Sequence, residues 1–253
     1  MYLVQQNHIR NRTKKEYEIL RLLCRLSKNL YNVTNYTTIN YYEANGTFLK
    51  YESAYHLVKE NENFQLMPSQ VAQQTMKMVD KAWISFFHVL KQKQAGSYNR
   101  PLDKPHFLPK NGYFVCIFPK DSFKVEGNQL RLSIGRPLTK QYGQQYLYFG
   151  MPKTVIGHTI KEIRLIPRQH GLFFDLEYIY LQEPIPTDLD PKQCLAIDLG
   201  LGNFATCTST NGTSFIVEGQ GLKSYNRWWN KQKAKLQSQY DIHGIKFGKK
   251  MAR

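Results

Sequence analysis

The stretch CLAIDLGLGNFATCTSTNG, residues 194–212, decides how the rest of the chain is interpreted. An apolar run ends at Asp198, two glycines follow, and a second alternating run leads into Asn211 and Gly212. This pattern predicts a β-hairpin, because glycine permits tight turns and Asn-Gly is a strong turn signal. An acid at the end of a buried strand is costly unless it is paired or binds a metal. We therefore expect Asp198 to be a buried site residue.

Three interpretations of Asp198 remain open on spacing alone. An Asp-x-Gly sequence can simply end a strand, with the carboxylate accepting hydrogen bonds from turn amides. Alternatively, Asp198 holds a divalent metal on the first strand of an RNase H-like nuclease. A third class is the phosphate-binding hairpin of sugar kinases and actin-like ATPases. That class requires a second Asp-x-Gly strand and a glycine-rich adenosine loop, which the sequence after Asp198 does not show.

Charge is the strongest compositional signal. The chain of 253 residues carries 35 Lys and Arg against 19 Asp and Glu, a net charge of +16. Residues 1–110 hold 16 basic against 8 acidic side chains, residues 111–190 hold 9 against 8, and residues 191–253 hold 10 against 3. The excess of basic residues at both ends of the chain favours binding of a polyanion, because the counterions that a polyanion releases supply binding free energy. A membrane surface and a solvated face without a partner are the weaker alternatives.

Cysteine usage and apolar runs indicate a cytosolic folded protein. Cys24, Cys116, Cys194 and Cys207 show no C-x-x-C spacing and are expected to be reduced thiols in the core. No apolar run approaches the roughly 20 residues that cross a bilayer, and no signal-peptide pattern is visible. The apolar share of 42% is that of a folded chain, and the length predicts two or three domains.

Helical periodicity dominates the first third of the chain. Apolar residues recur at three- and four-residue steps from Lys14 to Tyr42, which predicts one long helix. A short helix is predicted over residues 51–60. A third helix is predicted to begin at Pro68, whose φ is preset for helical entry, and to end near residue 95. A short strand is predicted before them, over residues 2–9.

Short alternating runs follow from residue 113 onward. They predict strands over residues 113–118, 122–125, 129–134, 146–150, 160–167 and 172–181. Many short strands with such turns predict a small β-barrel. We expect the strand at residues 2–9 to belong to the same barrel, with the helices inserted between. Residues 183–190 then form a linker.

Two further segments are basic. Residues 97–110 contain Arg100, Lys104, His106 and Lys110 among three prolines, which predicts an irregular segment. Such a segment suits either contact with a phosphate backbone or a plain interdomain linker. Residues 222–240 predict a basic helix, and residues 244–253 are basic again.

The order of these parts resembles the TnpB proteins, also called OrfB, which are transposon-encoded RNA-guided nucleases related to type V CRISPR effectors. Three stretches of the resemblance are the early helix at residues 20–32, the KPHF sequence at 104–107 and the hairpin at 160–180. The most specific stretch is AIDLGLGNFAT at residues 196–206, followed by LKSYN at 222–226. The similarity covers nearly the whole chain.

The resemblance implies a mixed α+β fold with three parts. Residues 1–10 and 96–190 would form a small wedge-type, OB-like β-barrel. Residues 11–95 would form a helical recognition lobe inserted in that barrel. Residues 191–253 would begin an RNase H-like (RuvC) α/β nuclease domain that is incomplete in this sequence.

The resemblance also implies a chemistry for Asp198, which matches the first catalytic aspartate of the family. In the complete nuclease, several carboxylates hold Mg²⁺ ions about 3.5–4 Å apart to cleave a phosphodiester. The second and third acids of the family, and its zinc ribbon, lie downstream and cannot be placed here. Magnesium is therefore expected through Asp198, and zinc only in the missing part. We expect that this chain alone does not cut DNA.

The implied partners are a guide RNA derived from the transposon end and a double-stranded DNA target, without a membrane. The implied location is the cytoplasm of a prokaryote, near the nucleoid. The candidate nucleic-acid-binding residues are Lys14, Lys15, Arg100, Lys104, His106, Lys110, Lys223, Asn226 and Arg227. A nuclease-dead guided repressor is the main alternative function, and a fragment of an actin-like ATPase or sugar kinase is the lesser one.

Overall fold

The computed structural model describes residues 1–183, 189–190 and 192–245. The chain divides into two compact units, Met1–Glu183 and Pro184–Arg253. The predicted linker at 183–190 lies mostly outside the described residues, as does the basic end at 246–253. Within the described ranges, no helix is both long and apolar enough to cross a membrane.

The first unit consists of one strand, a run of four helices and then six further strands with one short α-helix among them. Its elements in chain order are β1 (Tyr2–His8), α1 (Lys14–Asn45), α2 (Tyr51–Val58), α3 (Glu62–Gln65), α4 (Ser69–Gln94), β2 (Cys116–Pro119), β3 (Phe123–Glu126), β4 (Gln129–Ser133), α5 (Arg136–Tyr142), β5 (Tyr146–Gly150), β6 (Thr159–Arg168) and β7 (Phe173–Leu181). The long helix predicted from Lys14 is confirmed as α1.

Local hydrogen bonds fix both ends of α1. The Thr13 hydroxyl accepts a hydrogen bond from the Glu16 backbone N–H at 3.2 Å, and the Glu16 carboxylate accepts one from the Thr13 N–H at 2.9 Å. This capping box satisfies two amides at the helix start. At the other end, Gly46 takes a left-handed conformation with φ 66°, and its N–H donates to the Tyr42 carbonyl. Glycine is favoured there because it carries no Cβ.

The first and last strands of the unit share one sheet. Its order is β1-β7-β6-β2, with all pairs antiparallel. Leu3 of β1 lies opposite Tyr180 of β7. The strand at residues 2–9 therefore joins the later strands, and α1 to α4 are inserted between them in the sequence.

The described residues do not form the closed barrel that the sequence predicts. The strands β3, β4 and β5 make a second, three-stranded antiparallel sheet. The chain passes from β2 in the first sheet to β3 in the second through a short 3₁₀ turn at Lys120–Ser122. Both sheets keep free edges, so the first unit is an α+β structure with two open sheets.

The helices and both sheets of the first unit pack around one core. Ile19 and Leu20 of α1, Phe118 of β2, Leu130 of β4 and Tyr178 of β7 are fully buried in it. A smaller cluster forms around Trp83 of α4, which contacts several aromatic rings. Burial of these large side chains supplies most of the driving force for folding.

The second unit contains a three-stranded antiparallel sheet and one helix. Its strands are β8 (Leu195–Asp198), β9 (Asn203–Ser209) and β10 (Ser214–Glu218), in the order β10-β9-β8. The predicted hairpin is confirmed as β8 and β9, which pair with Asp198 opposite Thr206. The basic helix predicted over residues 222–240 is present as α6 (Gln220–Ile242).

The expectation that Asp198 is buried is wrong. All four residues of β8 are exposed, including Ile197 at 57%. The physical reason is position, because β8 is the edge strand of its sheet. Only Ala205 and Cys207 among the sheet residues of this unit are buried in the described part of the chain. Asp198 therefore meets solvent and needs no buried partner. Cys194, expected in the core, is likewise exposed, whereas the other three cysteines are buried.

A buried carboxylate ties β1 to β7 in the first unit. Asp175 is 5% exposed, and its Oδ2 atom accepts hydrogen bonds from both Gln6 Nε2 at 2.6 Å and Arg168 Nε at 2.7 Å. The His8 Nδ1 atom lies 2.7 Å from the other carboxylate oxygen, Oδ1. Burial alone would raise the pKa of Asp175, but these three partners outweigh it and lower the pKa below its usual value.

The lowered pKa of Asp175 predicts a loss of stability in acid. A carboxyl whose pKa is lower in the folded state contributes stability above its unfolded pKa of about 3.9, and that contribution disappears as the pH falls through the folded pKa. Asp175→Asn removes the charge, so we expect a shallower fall of unfolding free energy below about pH 4. Urea unfolding from pH 7 to pH 3 measures this. Asp121→Asn, at an exposed position, is the control, and equal pH slopes in the two variants would contradict the assignment.

Candidate nucleic-acid interface

Asp198 ends β8 on a sheet face that also carries hydroxyl groups. Thr206 lies directly opposite Asp198, and Thr208 lies two residues further along β9. The Thr208 and Ser214 hydroxyl oxygens are 2.7 Å apart on the same face. The site therefore offers one carboxylate beside a short row of hydroxyls, all open to solvent.

The described residues do not complete a magnesium site around Asp198. No group of three or more His, Cys, Asp or Glu side chains that could hold a metal occurs within residues 1–183, 189–190 and 192–245. Mg²⁺ in proteins is held through carboxylates and waters, and two-metal cleavage uses several carboxylates. Asp198 alone does not supply such a ligand set.

The helix α6 brings three candidate residues together. Lys223, Asn226 and Arg227 line a shallow groove of about 580 Å³ on one side of the helix. The groove continues along the helix through Asn230, Lys231 and Ala234. The sequence prediction missed these last three residues. Four-residue spacing identifies Asn230 and Lys231, because each follows a candidate by one helical turn.

Aromatic side chains interleave with these cations on α6. The Tyr225 and Trp228 rings are 5.7 Å apart and tilted by 37°. Both side chains are more than half exposed, and no residue of α6 is buried. Exposed aromatic rings among lysines and arginines can stack on bases while the cations contact phosphates. The helix therefore has the chemistry of a nucleic-acid contact surface.

The basic segment at residues 97–110 contains no helix or strand and lies along α1. Asn35 Nδ2 donates to the Pro105 carbonyl at 2.8 Å. Asn32 makes a reciprocal pair with Leu108, donating from Nδ2 to the carbonyl at 2.9 Å and accepting at Oδ1 from the N–H at 2.8 Å. We call residues 105–115 the strap, because side chains of α1 hold its backbone at successive turns.

The basic candidates of this region have different surroundings. Lys104 Nζ lies 2.8 Å from a carboxylate oxygen of Glu43 and 5.6 Å from the centre of the Tyr42 ring. Arg100, His106 and Lys110 are exposed. Lys104 therefore has a structural partner, whereas the other three side chains face solvent.

Lys14 and Lys15 are exposed in the first turn of α1. Cations at this end of a helix are opposed by the positive pole of the helix dipole. Neither lysine forms an ion pair with another residue that the structure describes. Their charge is thus available to an external anion.

Comparison with known proteins supports the predicted family for part of the chain. The family model OrfB_IS605, described as a probable transposase, matches residues 177–253. That range contains Asp198, the β8–β9 hairpin and α6. The match confirms the predicted resemblance to the OrfB family over the second unit. No curated protein matches the chain.

Solved structures that resemble the chain include two Cas12f complexes. One is a cryo-EM structure of a CRISPR-Cas12f ternary complex, with 14% identity and a TM-score of 0.44 over 90% of this chain and 53% of that chain. The other is a cryo-EM structure of a Cas12f1–sgRNA–target DNA complex, with 14% identity and a TM-score of 0.44 over 97% of this chain and 63% of that chain. The chain thus spans less than two thirds of the length of either.

The reciprocal pair between Asn32 and Leu108 predicts a measurable cost when it is removed. Asn32→Ala leaves the N–H and the carbonyl of Leu108 without their partner, which should lower the unfolding free energy by about 1–3 kcal/mol. Urea unfolding at pH 7 measures the loss. Asn45→Ala is the matched control on the same helix, because the Asn45 side chain is exposed and donates a single hydrogen bond. An equal loss in both variants would show that the strap does not depend on Asn32.

Proposed function

We propose that this protein is a TnpB-type, RNA-guided, DNA-targeting protein, and that its described residues bind nucleic acid. One observation carries the proposal: the segment that matches the transposase family also contains the exposed basic helix α6 and the Asp198 hairpin. Its partners would be a guide RNA derived from the transposon end and a double-stranded DNA target. We place it in the prokaryotic cytoplasm, near the nucleoid.

Phosphate contact by α6 is the first step of the proposed function. Lys223, Arg227 and Lys231 repeat every four residues and form a row of cations along the groove. Such cations neutralise phosphates and release condensed counterions, which gives affinity without sequence preference. Sequence would be read by base pairing of the guide RNA with the target strand, and not by these side chains.

The second step would be cleavage of the target, in which Asp198 would act as one ligand of Mg²⁺. When bound, the metal would activate water and stabilise the leaving oxygen. The described residues contain no group of three or more side chains that could hold the metal together with Asp198. The other metal ligands would therefore have to come from outside the described residues. Zinc would likewise be held outside the described residues. The incomplete set of metal ligands around Asp198 also favours a second candidate function, a guided repressor that binds DNA without cutting it.

The α6 proposal predicts a salt-dependent loss of binding. Replacing Lys223, Arg227 and Lys231 together with Gln should weaken binding of a guide RNA, and the slope of log K against log salt should fall by about 0.7–0.9 for each phosphate contact removed. Fluorescence anisotropy at several salt concentrations measures both. Replacing Lys91, Lys93 and Lys153, three exposed lysines of the first unit, removes the same charge and is the control. Equal slopes in the two triple variants would rule out α6 as the contact surface.

The incomplete ligand set predicts binding without cleavage. We expect the purified 253-residue chain, mixed with guide RNA, matching duplex DNA and Mg²⁺, to retard the DNA in a gel and leave it uncut. Asp198→Ala should retain the same DNA affinity, because the residue is not needed for phosphate contact. Mg²⁺-dependent cleavage that disappears in Asp198→Ala would contradict this prediction and would favour the complete nuclease.

A further inference from the structure

A row of charged side chains runs along one face of α1. Lys14, Glu18, Arg21, Arg25 and Lys28 follow one another at alternating four- and three-residue steps. Residues at these steps lie on the same side of a helix. The row contains four cations and one acid, so it is a positively charged stripe in the first unit.

Backbone carbonyls hold two cations of this stripe in place. The Arg21 Nε atom donates to the Gly171 carbonyl at 2.9 Å, and the Lys28 Nζ atom donates to the Lys110 carbonyl at 2.8 Å. These partners fix the side chains but do not neutralise them. Within the described residues, neither cation forms an ion pair with a carboxylate.

Arg25 stands between these two cations. Its guanidinium carbon lies 5.8 Å from the centre of the Tyr113 ring, and its side chain is exposed. The Tyr113 ring packs directly against the backbone of Gly171, where a Cβ would come within 2.9 Å of it. Arg25 therefore lies over an aromatic ring, and its guanidinium makes no hydrogen bond to another residue that the structure describes.

Burial and a neighbouring cation both act on Lys28 of the stripe. Lys28 is 5% exposed, and burial together with the positive charge of Arg25 lowers the pKa of its ammonium group. Burying a cation without a counter-charge costs free energy. An anion bound beside Arg25 would offset that cost, which gives the stripe a physical reason to accept a negatively charged ligand.

The stripe borders a groove that is lined by charged and aromatic side chains. The groove has a volume of about 270 Å³ and is lined by Glu18, Arg21, Leu22, Arg25, Tyr113 and Tyr142. Guanidinium groups bind phosphate oxygens in a two-pronged geometry, and tyrosine rings contact sugars or stack on bases. The lining combines both groups.

We propose that this groove binds the phosphodiester backbone of a nucleic acid, with Arg25 and Arg21 contacting phosphate oxygens and Lys28 adding positive charge behind them. The inference rests on the proposed nucleic-acid function and assigns it a second surface, in the first unit. None of these three residues belongs to the predicted nucleic-acid candidates. RNA and DNA share this phosphodiester backbone, so the experiment below decides which of the two the groove binds.

The test compares Arg25→Gln with a matched variant. Lys153→Gln removes the same charge from an exposed lysine that does not line the groove. Binding of the full chain to a fluorescein-labelled 24-base-pair RNA duplex and to a DNA duplex of the same sequence is measured by anisotropy at several salt concentrations. We expect Arg25→Gln to weaken binding of one or both duplexes about five- to tenfold and to lower the salt slope by about 1, whereas Lys153→Gln stays within twofold of the wild type.

Each outcome decides one statement. A loss with the RNA duplex alone assigns the groove to RNA, and a loss with the DNA duplex alone assigns it to DNA. If the wild-type chain binds and Arg25→Gln and Lys153→Gln have equal affinities, the proposal that the groove binds nucleic acid would be wrong. The proposed function would not be affected. A wild-type chain that binds neither duplex would overturn both.

Two controls separate contact from structure. Arg25→Lys keeps the charge and loses the two-pronged geometry, so it should retain the salt slope and weaken binding less than Arg25→Gln. Unfolding midpoints of both Arg25 variants should match the wild type, because the Arg25 side chain is exposed. Competition by polyglutamate as effective, per charge, as competition by RNA would assign the groove to acidic protein and overturn the proposal.

Discussion

Hydrogen bonding of one irregular segment is the constraint on which the first unit depends. The strap crosses the unit without helix or strand, so its backbone groups have no regular partners. Side chains of α1 supply these partners: Asn35, Asn32, Lys28 and Ser27 bond to carbonyls of the strap, and the Cys24 carbonyl accepts from Phe114. Unpaired backbone groups are costly when they are removed from water. The polar side of α1 therefore fixes where the strap enters β2.

This arrangement explains why α1 combines polar and charged residues with an apolar face. Asn35 also accepts a hydrogen bond from the buried Trp83 indole at 2.9 Å, which links the strap to α4. Ser27 bonds to Thr75 of α4 as well as to the strap. One helix thus positions α4, the strap and the first sheet together. The cations on its remaining side are then presented on a rigid element, which favours a defined contact geometry over a flexible one.

Local features of the fold could be predicted from the sequence, and long-range ones could not. The start of α1 follows from helical spacing that begins at Lys14, and the β8–β9 hairpin follows from alternation around Gly200 and Gly202. The strand predicted over residues 113–118 begins only at Cys116, because Phe114 and Val115 bond to α1 instead of to a strand. Pairing between distant segments decides whether a sheet closes, and no local pattern records it.

The candidate site shows the same division. Lys223, Asn226 and Arg227 line one groove, because a helix converts sequence separation into a shared face. The exposure of Asp198 was not predictable, because it depends on which strand lies at the sheet edge. The cations Arg21 and Arg25 were missed for a related reason. Their significance lies in Tyr113 and Gly171, which are close in space and far away in sequence.

Among the described residues, the outer edge of β8 has no partner strand, and under the proposed function this restricts where further metal ligands would lie. Leu195 and Ile197 are at least half exposed on that strand, and the unpaired edge can accept another strand. Adjacent strands lie about 4.8 Å apart, and paired metal ions about 3.5–4 Å apart. A carboxylate on a strand added at this edge would therefore reach a metal shared with Asp198, whereas one beyond β10 would be two strands further away. Under the proposed function, covering the apolar side chains of β8 and completing the ligand set would be one structural event, and that event would couple folding of the second unit to metal binding.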